Sequence, residues 1–94
     1  QSRLAPVFER YSNSLNQVTR YRSRILPAAQ QTLEYSRRQF EAGELGYINF
    51  LTAQRTFAQT NLAYLESLRQ LREATATIDG LLLSDSLRVE EPSK

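Results

Sequence analysis

The sequence predicts an all-α fold, a long antiparallel two-helix coiled-coil hairpin, and three observations carry that prediction. The 94 residues hold only three Gly and three Pro, too few for a sheet protein that must turn about every eight to twelve residues. Apolar residues recur in alternating steps of three and four, the spacing of one helix lying along another. One interior glycine pair, Gly43 and Gly46, separates the two periodic stretches.

The first helix is expected over about residues 3–42. From Leu4 the apolar series runs through Phe8, Tyr11, Leu15, Val18 and Ile25, interrupted at Arg22. It then moves over by one place to Leu26, Leu33 and Phe40, a shift that the mismatch between 3.6 and 3.5 residues per turn would produce. Pro6 is a first-turn residue, where its missing N–H costs nothing. Pro27 is interior and costs roughly 3 kcal/mol in a regular helix. No Gly, Asn or Asp stands beside it, so the expectation is a kinked but continuous helix, with a break near Ser23–Leu26 as the alternative.

The turn is expected at 43–46. Gly43 suits the left-handed residue that closes a helix, because it lacks the Cβ that makes this conformation costly. Gly46 can then cap the next helix, and so short a connection sends that helix back antiparallel along the first.

The second helix is expected over about 47–83. Tyr47, Phe50, Gln54, Phe57, Asn61, Tyr64, Leu68, Leu71, Thr75, Ile78 and Leu82 form its packing seam, and Ile48, Leu51, Ala58, Leu62, Leu65 and Ala76 form a second seam beside it. A single hairpin partner covers one seam, so two adjacent seams imply neighbours on both sides. Ser84-Asp85-Ser86 reads as the stop, and residues 84–94 as a flexible tail.

Composition removes several function classes. Without His or Cys there is no zinc site of the usual kind, no thiol nucleophile, no Ser-His-Asp triad and no disulfide. Glu41 and Glu44 flank a solvent-exposed turn with no apolar pocket to separate their pKa values, and Ser12 and Ser14 have no base partner. Gly43-x-x-Gly46 follows a helix and is too short to cradle phosphate. Neither catalytic residues nor a cofactor or metal site is expected, and the chain is not read as an enzyme. Net charge is +2, and Arg20, Arg22 and Arg24 bracket a tyrosine on the apolar register, so they read as a solvated flank and no nucleic-acid partner is expected. No run approaches the roughly 18 apolar residues of a membrane-spanning helix. With neither an initiator Met nor a signal peptide, the sequence reads as an excised segment.

The turn and its flanks also carry a resemblance. Phe40-Glu41-Ala42-Gly43-Glu44, followed by Leu51-Thr52-Ala53-Gln54-Arg55, is similar to the aromatic-x-x-Gly … Leu-x-Ala-Gln-Arg signature of TolC-type outer-membrane efflux proteins. Ile25-Leu26-Pro27-x-Ala29 upstream, and Ala63-Tyr64-Leu65 and Ile78-x-Gly80-Leu81-Leu82 downstream, also fit that family. The resemblance covers about Val18 to Leu83. It implies a homotrimeric duct whose β-barrel in the outer membrane continues as a helical barrel into the periplasm. This chain would be the C-terminal hairpin of a protomer. Its tip residues Phe40, Gly43, Glu44, Leu45 and Asn49 would then meet a periplasmic adaptor and, through it, an inner-membrane pump. Gly46 and Asn49 depart from the family, which often carries Ser or Thr and an acidic residue at these places.

Two alternatives are a hairpin of the adaptor itself and a generic dimerising coiled-coil scaffold. In isolation the segment is expected to self-associate into a helical bundle, and Leu45 is expected to stand exposed on the turn.

Overall fold

The structure is a computed structural model that describes residues 4–90, with side chains through Ser84. Three helices, α1 (Leu4–Arg20), α2 (Leu26–Glu41) and α3 (Tyr47–Glu90), form a rod of 79 × 17 × 16 Å. No strand occurs among the described residues. A five-residue π-helical turn, Tyr21–Ile25, joins α1 to α2 without leaving helical backbone: Arg20, Ile25 and Leu26 all keep right-handed helical φ and ψ. The first arm is therefore continuous through Pro27, which occupies the first turn of α2.

The π turn accounts for the one-place shift of the apolar seam. Up to and within it, Val7, Ser14 and Tyr21 are spaced by sevens on the inner face, as are Leu4, Tyr11, Val18 and Ile25; after it, Ala29 and Ser36 continue one series, and Leu26, Leu33 and Phe40 the other. From Tyr21 to Ala29 and from Ile25 to Leu33 the step is one more than a heptad. A π turn closes its hydrogen bond one residue further than an α turn, as Leu26 N–H does to Tyr21 O, and so absorbs one extra residue. The shift comes from this local insertion and not from gradual drift.

On α3 the inner face is one unbroken heptad series, Phe50, Ala53, Phe57, Thr60, Tyr64, Ser67, Leu71, Ala74, Ile78 and Leu81, all buried or half-buried, in which large residues alternate with small ones as far as Ile78. Small residues at every second step let the arms approach closely while large ones fill the intervening layers. This displaces part of the expected seam. Tyr47, Gln54, Thr75 and Leu82 are exposed, Asn61 and Leu68 are half-buried at its edge, and Ala53, Thr60, Ser67 and Ala74 stand inside. On α1, likewise, Phe8 and Leu15 are exposed, while Val7 and Ser14 are buried. At Val7, Ser14 and Ser67, close approach selects the narrow residue over its more apolar neighbour.

The second helix also runs on past its expected stop, to Glu90. Ser84-Asp85-Ser86 contains neither Gly nor Pro, and Leu87-Arg88-Val89-Glu90 can continue a helix, so weak helix formers alone do not end it. The expected flexible tail is thus helical over 84–90, and its remainder, 91–94, lies outside the described residues.

Candidate functional site

The hairpin reverses through a left-handed cap. Gly43 has φ +78°, its N–H donates to Phe40 O at 3.0 Å, and Glu44 N–H donates to Gln39 O at 2.8 Å. This pair of bonds is the Schellman closure, which satisfies carbonyls that a helix end would otherwise leave unpaired. Leu45 N–H reaches the same Gln39 carbonyl at 3.2 Å. Gly46 directly precedes α3, and its carbonyl accepts Phe50 N–H at 3.0 Å, the first bond of the new helix.

Aromatic packing braces this turn. The Phe40 ring stacks on Phe50 and lies 5.9 Å from Tyr47 between centroids. Tyr47, placed by the sequence in the packing seam, is mostly exposed and belongs to the tip. Of the other expected tip residues, Gly43, Glu44 and Asn49 are exposed, whereas Leu45 is half-buried. The expectation of a freely exposed Leu45 is corrected: its amide is drawn back to Gln39, which folds the residue against the turn.

Behind the tip, Arg37 bridges Glu34 and Glu41, with Arg38 at 3.6 Å from Glu34. The hydrogen bonds from Arg37 hold the Glu34 carboxyl below its ordinary pKa and push the guanidinium up. Arg69 makes a matching bridge between Glu66 and Glu73 on α3. All seven side chains are solvent-exposed and paired within their own helices, so they support local helix more than they hold the arms together. Glu44, by contrast, has no ion pair among the described residues.

The second apolar series of α3 is uncovered. Ile48 and Leu62 are 70% and 65% exposed, Leu51 and Leu65 are also exposed, and so are Ala58 and Ala76. These residues lie on one face of α3, with Arg55, Arg69 and Arg72 interspersed among them. In mid-rod, Arg22 Nε donates to the Tyr64 hydroxyl across the arms at 2.7 Å, and the Tyr21 ring lies 6.1 Å from that of Tyr64. Arg22, expected on a solvated flank, is exposed but partnered.

Two hollows accompany these features. One of about 220 Å³ lies between the arms, lined by Ala29, Leu33, Ala53 and Phe57 with two threonines. A more open one is bordered by Pro27, Gln30, Gln31, Glu34 and Arg38. Neither brings a nucleophile to a base. No group of three or more His, Cys, Asp or Glu side chains suited to a metal ion occurs among the described residues, and no helix there is long and apolar enough to cross a membrane.

Against known proteins, 58 residues of the chain are 41% identical to the cobalt-zinc-cadmium resistance protein CzcC of Cupriavidus metallidurans, a match that takes in 62% of this chain and 14% of that protein. The chain thus corresponds to a small part of the relative's length. No protein-family model and no solved structure matches.

Proposed function

We propose that this hairpin is a periplasmic stave of a TolC-type outer-membrane efflux duct, forming part of the exit channel of a tripartite export pump. The observation that carries the proposal is the 41% identity to a cobalt-zinc-cadmium resistance protein, in a chain that folds as a bare hairpin with one helix face uncovered. Three protomers, each contributing this hairpin and a second one, would close a ring in which Ile48, Leu51, Leu62 and Leu65 are covered by the neighbouring stave. The cargo class that the likeness favours is divalent transition-metal cations, for which the hairpin would supply wall and docking surface. The tip, braced by Phe40, Tyr47 and Phe50 and presenting Glu44, Leu45 and Asn49, would dock the adaptor that joins the duct to an inner-membrane pump.

The test uses the full-length protein in its own cell. In a full-length background cleared of any other Cys (these 94 residues contain none), one introduced at Asn49 reports the tip and one at Gln59 the mid-rod. The expected result is a protein in the outer-membrane fraction, cross-linking to a periplasmic partner from Asn49→Cys only, and loss of metal resistance in Gly43→Val at normal protein abundance. Recovery with the inner membrane would point to the adaptor, and recovery in the cytoplasm to a scaffold. Either location, or equal cross-linking from both positions, overturns the proposal.

A further inference from the structure

The π turn, with Arg22 near its start and Pro27 just beyond its end, forms a unit whose purpose is not evident from the hairpin alone. A one-residue insertion in a helix is not tied to its place by the backbone. It can move along the chain one hydrogen bond at a time, and each step rotates the residues it passes by about 100° relative to the partner helix. α3 presents an unbroken heptad series to both halves of the first arm, so an insertion at the wrong level would turn Tyr21 or Ile25 out of the seam.

We infer that Arg22 and Pro27 pin the insertion from opposite sides, making residues 21–25 a register lock for the first arm. On the tip side, Pro27 has no N–H to hand from one carbonyl to the next, and its ring resists the carbonyl four residues back in a regular α turn. The insertion therefore stops before it. On the open-end side, Arg22 Nε bonds the Tyr64 hydroxyl at 2.7 Å, and its guanidinium carbon lies 5.9 Å from the centre of the same ring. Moving the insertion toward Leu4 would swing Arg22 away from Tyr64 and break both contacts. Ser23 adds a hydroxyl bond to the Thr19 carbonyl at 2.8 Å, a supplementary donor beside the turn. Arg22 is thus a positioning residue that acts through Tyr64. This inference concerns the hairpin itself and stands apart from the assembly it serves.

Amide hydrogen exchange across residues 19–40, measured on the full chain, tests the lock. Arg22→Ala is expected to speed exchange at 21–26 by about tenfold, the scale of one hydrogen bond to a charged group, with 33–40 unchanged. Tyr64→Phe, which keeps the ring and loses only the acceptor, is expected to speed the same amides. The double variant should exchange no faster than Arg22→Ala alone, because both changes release one contact. Deleting Ser23 together with Pro27→Ala removes the extra residue and its stop; 21–26 should then exchange as slowly as the α1 and α2 interiors. Unchanged exchange in Arg22→Ala, or additive effects in the double variant, overturns the lock. Faster exchange throughout 29–40 in the deletion variant overturns the one-residue phase relation on which the lock depends.

Discussion

The rings of Phe40 and Phe50 lie 4.8 Å apart between centroids and within 5° of parallel, joining the last turn of α2 to the first turn of α3 across the reversal. The left-handed cap sets the direction of the returning chain, and this stack sets the distance at which it returns.

Phe50→Ala is therefore expected to destabilise the hairpin by about 2–3 kcal/mol, somewhat less than the roughly 3–5 kcal/mol of a fully buried Phe→Ala change, because Phe50 is half-buried. Phe50→Leu, which keeps volume but loses the stack, should cost about 1 kcal/mol. Urea unfolding checks both, through a lowered midpoint at constant slope.

Gly43→Val should cost about 1–2 kcal/mol from the left-handed backbone alone. A Cβ at Gly43 would meet nothing within 4 Å, so the penalty is conformational and not steric. Gly43→Asn should then retain most of the stability, since Asn tolerates this region. Equal losses for Val and Asn in thermal unfolding would contradict this.

The exposed stripe predicts a separation of stability from association. Ile48→Lys and Leu62→Lys should change hairpin unfolding by no more than about 0.5 kcal/mol, as surface substitutions do. The parent hairpin is expected to sediment as a multimer, and the same changes should shift it toward monomer. Sedimentation unaltered by both substitutions would mean that another surface mediates association.

Acid should loosen the two carboxylate–arginine bridges. Glu34 and Glu66 titrate below the ordinary value of 4.5, chiefly through hydrogen bonds from Arg37 and Arg69 respectively. Folded pKa values lower than unfolded ones give a stabilisation present above about pH 4.5 and lost as pH falls through the lowered values. Carboxyl NMR titration of Arg37→Gln should show Glu34 moving up while Glu66 stays in place. Added salt should shrink both shifts, since these groups are solvent-exposed.

The hairpin, its turn and the left-handed Gly43 were legible because each rests on a strong local signal: scarce Gly and Pro, a three-four period, and one glycine where the period breaks. The large inner residues Phe50, Phe57, Tyr64, Leu71 and Ile78 were legible for the same reason. Their alternate partners were not. Hydrophobicity favours Leu68 over Ser67, and Phe8 and Leu15 over Val7 and Ser14, but the space between closely approaching backbones favours the smaller residue. The extra residue of Tyr21–Ile25 had a visible trace in the displaced series after Ile25, and Arg22 marked its place. A π turn has no residue signature of its own, so that trace resembled ordinary superhelical drift. At the tip, the partial burial of Leu45 follows from a backbone bond to Gln39, which side-chain patterning does not encode.

No large side chain among the described residues is completely enclosed; the arms are held by a repeating ladder of layers and not by one central core. Such a ladder makes the reach of the rod an adjustable quantity. Removing one heptad from α2 and its counterpart from α3 would shorten the rod by about 10 Å and leave every surviving layer with the same kind of neighbours. A globular domain cut in this way would lose its centre. Here the distance between tip and open end can be tuned in discrete steps while the turn, the aromatic brace and the π insertion remain as they are.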